Sequence, residues 1–457
     1  MNSNRRVLLF VLYSVGLLFI ISLVGSLAGF SWMPFKRVNL ISDVYRSPSD
    51  STANDDDTAG KIDEPIIIEN KPKENFALYH QPRFITNFNA DTAQSSINGF
   101  LQKLDELKHG QKRKVRIAYF GDSMIEGDLL TQTLRKLLQQ MFGGNGVGFV
   151  PITSQVSKFR QTATADYSSG WQDENFKEGK TNKLYLSGHL FRSSGDWVQI
   201  RDQTIPTDSV VLEKSLICGN TSQTINVTVN GGSFPVHADN LCNRIVIAKD
   251  KSTLLKLSVA NEQLPVYGVS FESESGIFVD NFSFRGITGI EFARIDSTFL
   301  SAVAQNNPYD LIIFQYGVNL LFRPNDKNFN WYAKAMLPII RKLKHCFPSS
   351  DFIVASCADR AFRYGGAYQS AIGIDSLIKI QALLAYETGS SFYNQYESMG
   401  GRNSIVEWAN MKPSLANRDY VHPNHRGAEI LANYLFEAMM NEYKKYTSKL
   451  QQAQPKK

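Results

Sequence analysis

Cysteine is scarce. The chain has four in 457 residues, Cys218, Cys242, Cys346 and Cys357, too few for a disulfide scaffold. Their spacing is not that of a zinc site, which pairs Cys-x-x-Cys or His-x3-His elements. Cys218 and Cys242 fall in one β-like stretch, where two readings stand: a disulfide in an oxidising compartment, or two buried thiols. A dense basic face is also missing. The 49 Lys and Arg against 43 Asp and Glu leave a net charge of only +6. The basic clusters, Lys112-Arg113-Lys114 and the tail ending Lys456-Lys457, are short runs of the kind that stay solvated, so nucleic acid is not an expected partner. There is no internal repeat. With 43% hydrophobic and 20% charged residues, wholesale disorder, collagen and coiled coil are excluded. At this length the chain holds two domains and further segments.

What the N-terminus does have is a long apolar run without a charge, residues 7–30, preceded by Arg5 and Arg6. It is long enough to span a bilayer and longer than the usual core of a signal peptide, although Ser26-Leu27-Ala28 would suit a cleavage site. We expect an uncleaved single-pass anchor over residues 1–31, with the bulk of the chain outside the cytoplasm. Basic residues flank the run on both sides, Arg5 and Arg6 before it and Lys36, Arg37 and Arg46 after it, so the positive-inside count is nearly balanced. Residues 47–64 are small, polar and acidic, which gives a flexible tether. The expected linker and extended segment covers 32–89, and Asp55-Asp56-Asp57 within it reads as a solvated charge run.

From residue 90 the pattern alternates. A helix is expected over 90–109, a strand over 115–120 and a helix over 129–142. From 150 to 275 the helical period gives way to short β-type runs, at 184–186, 197–200, 209–212, 224–229, 244–247, 254–259 and 266–271. Asn230-Gly231-Gly232 marks a hairpin turn. This is a β-sandwich of domain size. Alternation then returns, with strands at 276–284, 310–316, 352–356 and 391–393. Helices are expected over 289–305, 331–345, 369–388 and 426–443. The fold class is therefore α/β, a mostly parallel sheet covered on both faces, split into 90–149 and 276–446 by an inserted β-sandwich at 150–275, with a basic tail at 447–457.

Sites in such sheets form where strands end. Ser123, in Gly121-Asp122-Ser123, follows the first strand at the mouth of a helix and is placed to be a nucleophile whose own N–H faces an oxyanion; alone, the triplet also reads as a turn and cap. Asp419 precedes His422 by three residues, so that a carboxylate can fix the tautomer of a base that takes a serine proton. Asn319, after Gly317, has an amide able to donate to an oxyanion, and Gly286 offers a backbone N–H; each alone reads first as a turn residue. His425 is a rival base without the three-residue spacing. Trp171, Trp197 and Tyr185 of the insertion read as core before sugar platforms.

Taken together, Gly121-Asp122-Ser123, the stretch 281–288 around Gly286, Gly317-x-Asn319 and Asp419-x-x-His422-Pro423 resemble the four blocks of the SGNH (GDSL-type) hydrolases, in their order. The resemblance covers about 110–142 and 276–443. It implies a three-layer α/β/α fold in which Ser123 is the nucleophile, His422 the base and Asp419 its partner. Ser123 N–H, Gly286 N–H and the Asn319 side chain would form the oxyanion hole. Metal and organic cofactors are not expected. Met124 stands where the family usually has Leu, and Leu320 where it often has Asp; neither change removes a catalytic group, and both leave the substrate open. The anchor, the run from Gly121 to Gly127-Asp128, the glycine-rich 143–149 and the inserted β-domain are similar to bacterial peptidoglycan and polysaccharide O-acetylesterases and O-acetyltransferases. That layout implies a periplasmic or extracytoplasmic esterase on the cytoplasmic membrane, acting on an acylated polysaccharide or peptidoglycan. The alternatives are an O-acetyltransferase with the same residues and a membrane acyl-transfer partner, a lipid esterase, or a non-catalytic glycan-binding scaffold.

Overall fold

Along the strand Lys114–Gly121, Val115, Ile117 and Tyr119 enter one apolar cluster while Ala118 and Phe120 enter another. A strand buried on both faces belongs in a parallel sheet under helices. The computed structural model describes residues 76–88, 95–179 and 181–453, together with Tyr13. Among them a six-stranded sheet runs in the order Ile85–Thr86, Ser391–Tyr393, Asp351–Ala355, Leu311–Gln315, Lys114–Gly121, Gly276–Ser283. Its pairings are parallel except at Ile85–Thr86. One face is covered by the helices Asn98–Lys108, Thr131–Phe142 and His425–Ala453, the other by Ser297–Asn306, Asn330–Cys346 and Ile374–Thr388. Thr131–Phe142 shows the pattern that drives this: Leu134, Leu138 and Phe142 make one buried stripe, as the 3.6-residue period requires.

The insertion is a sandwich of two antiparallel sheets. One orders Gly232–Val236, Ile225–Val229, Leu254–Val259, Asp196–Asp202 and Ala163–Tyr167. The other orders Cys242–Asp250, Leu212–Gly219, Val266–Glu272, His189–Arg192 and Gln172–Asn175, with Gly148–Val150 also on Val266–Glu272. Val198, Val227 and Leu257 from the first meet Leu216, Val269 and Phe271 from the second in one core. Asn230 and Gly231 turn the expected hairpin with φ of 51° and 90°.

A buried ion cluster fastens this sandwich to the strand Lys114–Gly121. Glu272 accepts Arg116 Nε at 2.9 Å and Nη2 at 2.7 Å, Arg244 Nη1 at 3.1 Å, and lies 3.2 Å from Lys114 Nζ. Burial pushes the Glu272 carboxyl up, but Arg116 and Arg244 hold it well below the carboxylate range. The glycine-rich stretch runs through the same seam. A Cβ on Gly146 would stand 2.3 Å from the Phe271 carbonyl oxygen, and one on Gly148 2.4 Å from Asp280 Oδ1.

The predicted anchor at 7–30, Tyr13 apart, and the tether at 47–64 lie outside the described residues, among which no helix is long and apolar enough to cross a membrane. The structure corrects several expectations. Within the predicted linker, residues 76–88 are folded: Tyr79 is buried, and Ile85–Thr86 joins the sheet. Residues 184–186 turn instead of extending, because Gly188 N–H closes on the Tyr185 carbonyl at 2.8 Å. Asp296 accepts the Phe299 N–H at 2.9 Å and starts its helix there, leaving a separate 3-10 turn at Ile290–Arg294. Ala367–Ser370 pairs back on Ala361–Tyr364, so the next helix begins at Ile374 and not at 369. The last helix continues through Ala453 into the expected tail. The insertion starts at Gly148, slightly before the expected boundary.

Cys218 and Cys242 are free and buried. Cys218 lies opposite Asn243 and Cys242 opposite Gly219. Period-two alternation therefore sends the two thiols to opposite faces, Cys218 into the sandwich core and Cys242 toward the α/β core. Burial pushes the Cys242 thiol up to about 12.

Removing one member of a buried ion cluster strands the others. Glu272→Ala should therefore lower stability by about 3–5 kcal/mol in equilibrium denaturation. A loss below about 1 kcal/mol, the scale of an exposed pair, would show that the seam does not depend on these charges.

Candidate active site

Three strands end abreast. Gly121 lies opposite Ser283 on one side and Gln315 on the other, and Phe284 N–H donates to the Gly121 carbonyl at 3.0 Å. The segments leaving these ends carry Ser123, Gly286 and Asn319. Gly121 has no space for a side chain: a Cβ would stand 2.8 Å from Ile125 Cγ1 and 3.1 Å from the Gln315 carbonyl oxygen.

Ser123 Oγ is 2.9 Å from His422 Nε2, and His422 Nδ1 is 2.7 Å from Asp419 Oδ2. An ionised carboxylate only accepts, so Nδ1 carries the ring proton and Nε2 offers its lone pair to the Ser123 hydroxyl. The other Asp419 oxygen accepts the N–H groups of Val421 at 2.9 Å and His422 at 3.1 Å. Burial raises the Asp419 carboxyl, but the hydrogen bonds from His422 and Val421 prevail and the net shift is downward, which keeps it charged. Asn417 N–H closes the loop on the His422 carbonyl at 2.9 Å. His425 opens the last helix, exposed to solvent.

Asn319 Nδ2 donates to the Ile287 carbonyl at 2.8 Å. This ties the third block to the second and fixes the amide plane, while the second N–H of the amide remains for a ligand. The Ser123 and Gly286 N–H groups make no hydrogen bond among the described residues. The structure thus joins Ser123, His422 and Asp419 in one relay and brings the Gly286 and Asn319 loops to neighbouring strand ends.

No protein-family profile matches the chain, and no curated protein matches it in sequence. Its fold does match the solved structure of a peptidoglycan O-acetylesterase, with a TM-score of 0.67 at 20% identity, over 79% of this chain and 99% of that one. The two chains share a fold. An acetylxylan esterase from Geobacillus stearothermophilus (21% identity, TM-score 0.27, 37% of this chain and 74% of that one) also aligns. So does a GDSL-like lipase from Parabacteroides merdae (16% identity, TM-score 0.28, 36% and 73%). Both are too distant in shape to carry weight.

On this fold further residues brace the segment around Ser123. Asp128 is buried and holds Arg135 through contacts of 2.7 and 2.9 Å, Thr162 Oγ1 at 2.5 Å and Arg160 at 3.4 Å. Burial raises it, yet Arg135 and Arg160 bring it down to about 2. It is a fixed anion that ties the segment after Ser123 to the insertion. Trp171 is buried and donates Nε1–H to the Trp197 carbonyl at 3.1 Å, Tyr185 is fully buried, and the Trp197 ring is partly exposed.

Sequence reasoning missed Arg360. It donates Nη1–H to the Val318 carbonyl at 2.8 Å and lies in the field of both Asp419 and Asp122. The hairpin beyond it braces the base loop: Ala361 N–H donates to the Tyr420 carbonyl at 3.0 Å, and Tyr368 stacks on Tyr420 with centroids 4.0 Å apart. Tyr364 Oη donates to the Pro324 carbonyl, past Asn319. One element therefore steadies both the histidine loop and the asparagine loop. The signal was available, because Arg360 follows the end of the strand Asp351–Ala355, and every such end is a candidate.

Asp122 is buried between these loops. Its Oδ1 accepts Met124 N–H at 3.0 Å, and Oδ2 has no partner among the described residues. Burial pushes its carboxyl up to about 7. A folded-state value raised above the unfolded one means that the folded state holds the proton between about pH 4 and 7 while the unfolded state has lost it. This group's contribution to stability therefore falls as pH rises through that window and is flat above it. Asp122→Asn should remove that fall. Between pH 4 and pH 8 the unfolding free energy from urea titrations should change in the variant's favour by on the order of 3 kcal/mol relative to wild type. Parallel pH profiles would contradict the assignment.

Proposed function

We propose that the protein is a serine ester hydrolase that removes O-acyl groups, acetyl in the first place, from a cell-envelope polysaccharide. The observation that carries this is the Ser123–His422–Asp419 relay, with contacts of 2.9 and 2.7 Å, beside the free donors of Ser123, Gly286 and Asn319. Ser123 Oγ attacks the acyl carbonyl carbon as His422 Nε2 takes its proton, and Asp419 stabilises the imidazolium. The negative oxygen is held by the Ser123 and Gly286 N–H groups and the Asn319 amide. The bond from carbon to the sugar oxygen breaks, that oxygen receives the proton from His422, and the acyl group stays on Ser123. Water, deprotonated by His422, attacks the same carbon; the bond to Oγ breaks, the proton returns to Ser123, and the free acid leaves.

The choice of substrate is supported by the peptidoglycan O-acetylesterase of similar fold and by the sandwich set against the catalytic loops. In this reading the apolar run 7–30 tethers the enzyme to the cytoplasmic membrane, with its catalytic domain on the extracytoplasmic side.

Hydrolysis of p-nitrophenyl acetate by the chain from about residue 47 tests the chemistry. Ser123→Ala and His422→Ala should each lose about a thousandfold or more in kcat. Wild-type turnover equal to that of the variants would contradict the reading. Asn319→Ala should lose about a hundredfold in kcat with KM little changed, as expected for a donor used in the transition state. A loss confined to KM would remove Asn319 from that role.

A further inference from the structure

Beside the catalytic loops lies a cavity of about 300 Å3. Glu126 and Arg285 wall one side, and Tyr167, Trp171, Lys177 and His189 of the inserted sandwich wall the other. It begins three residues after Ser123 and one residue before Gly286. Its charges are nearly all matched. Arg285 pairs with Glu126 at 2.5 Å, His189 with Asp173 at 2.8 Å, and Arg160 with Asp128 at 3.4 Å. Lys177 has no carboxylate partner among the described residues, and its ammonium lies 5.7 Å from the Phe284 ring centroid. It also reaches across the seam to the catalytic side, with Nζ 3.9 Å from the point where a Cβ on Gly286 would stand.

An exposed lysine is ordinarily a solvated point charge. This one is held out by the insertion over a concave site, next to the glycine whose N–H faces the reacting carbonyl, and the cavity has the size of a small-ligand site. We infer that the cavity is a subsite for a sugar that bears a carboxylate, with Lys177 as its counter-ion. With Lys177 Nζ 3.9 Å from the Gly286 Cβ position, a carboxylate paired with it belongs to the unit that carries the ester or to its immediate neighbour. Two sources share this chemistry: a uronic acid in the backbone, or a lactyl ether on an amino sugar. The inference rests on the hydrolase reading for its rate measurement but not for its binding measurement.

The test compares wild type, Lys177→Gln and Lys177→Arg on three substrates. These are an O-acetylated oligogalacturonide, an O-acetylated muramyl glycan fragment and a neutral O-acetylated xylo-oligosaccharide. Wild type should prefer one of the carboxylate-bearing esters over the neutral one by roughly tenfold in kcat/KM, and which one it prefers identifies the source. The preference should collapse in Lys177→Gln through KM, survive in Lys177→Arg and weaken with added salt. No preference in wild type, a preference unchanged in Lys177→Gln, or an equal loss on all three esters overturns the inference. If wild type cleaves none of them, nor p-nitrophenyl acetate, the hydrolase reading fails instead. Calorimetric titration with the two deacetylated anionic fragments then decides the subsite: roughly tenfold weaker binding by Lys177→Gln supports it, and equal or absent binding by wild type and variant overturns it.

Discussion

Much of this molecule depends on one rung of its parallel sheet. Ser283, Gly121 and Gln315 lie in register across three neighbouring strands, so the segments that follow them leave the sheet together. That register brings a hydroxyl, a glycine N–H and an asparagine amide to one edge although they are far apart in the chain. It has a steric condition as well. Gly121 must lack a side chain, because Ile125 and the Gln315 carbonyl already fill the space a Cβ would take. The histidine arrives from the loop before the last helix, and that loop is held by its own aspartate and by the hairpin after Arg360.

The inserted sandwich is fixed to this sheet by groups that cannot be separated without cost. Glu272 shares its charge with Lys114 and Arg116 of the strand Lys114–Gly121. Asp128, five residues after Ser123, binds Thr162 and Arg160 of the insertion. The glycine-rich stretch passes between the two parts at backbone distance. The same attachments hold the segment after Ser123 and the wall of the cavity beside it. The insertion thus has a defined place at these strand ends, and its lysine reaches Gly286.

The parallel sheet was legible in the sequence because its strands are mostly apolar on both alternating sets of positions, as in 311–314, and so are buried on both faces. The site motifs were legible because strand ends limit where chemistry can sit, and the Asp419–His422 spacing fits one turn. The sandwich was legible as a region but not strand by strand. Gln172–Asn175 is entirely polar and is a strand only through its pairing with His189–Arg192. The run 184–186 looks like a strand because its side chains are core, yet its backbone turns. The hairpin after Arg360 fell mostly in a stretch to which no element was assigned, and only its last two residues, 369 and 370, overlap the expected helix. Whether Cys218 and Cys242 pair was fixed by the register of their two strands, which spacing in the sequence does not determine.

The central claim is that Ser123 becomes a nucleophile because His422 takes its proton. The most direct measurement is active-site labelling of the folded chain with a fluorophosphonate, read by peptide mass spectrometry. The account predicts one labelled site, Ser123, with labelling slowed by orders of magnitude in His422→Ala, since the hydroxyl is a weak nucleophile without its base. A label on another serine, or equal labelling of Ser123 with and without His422, would contradict it.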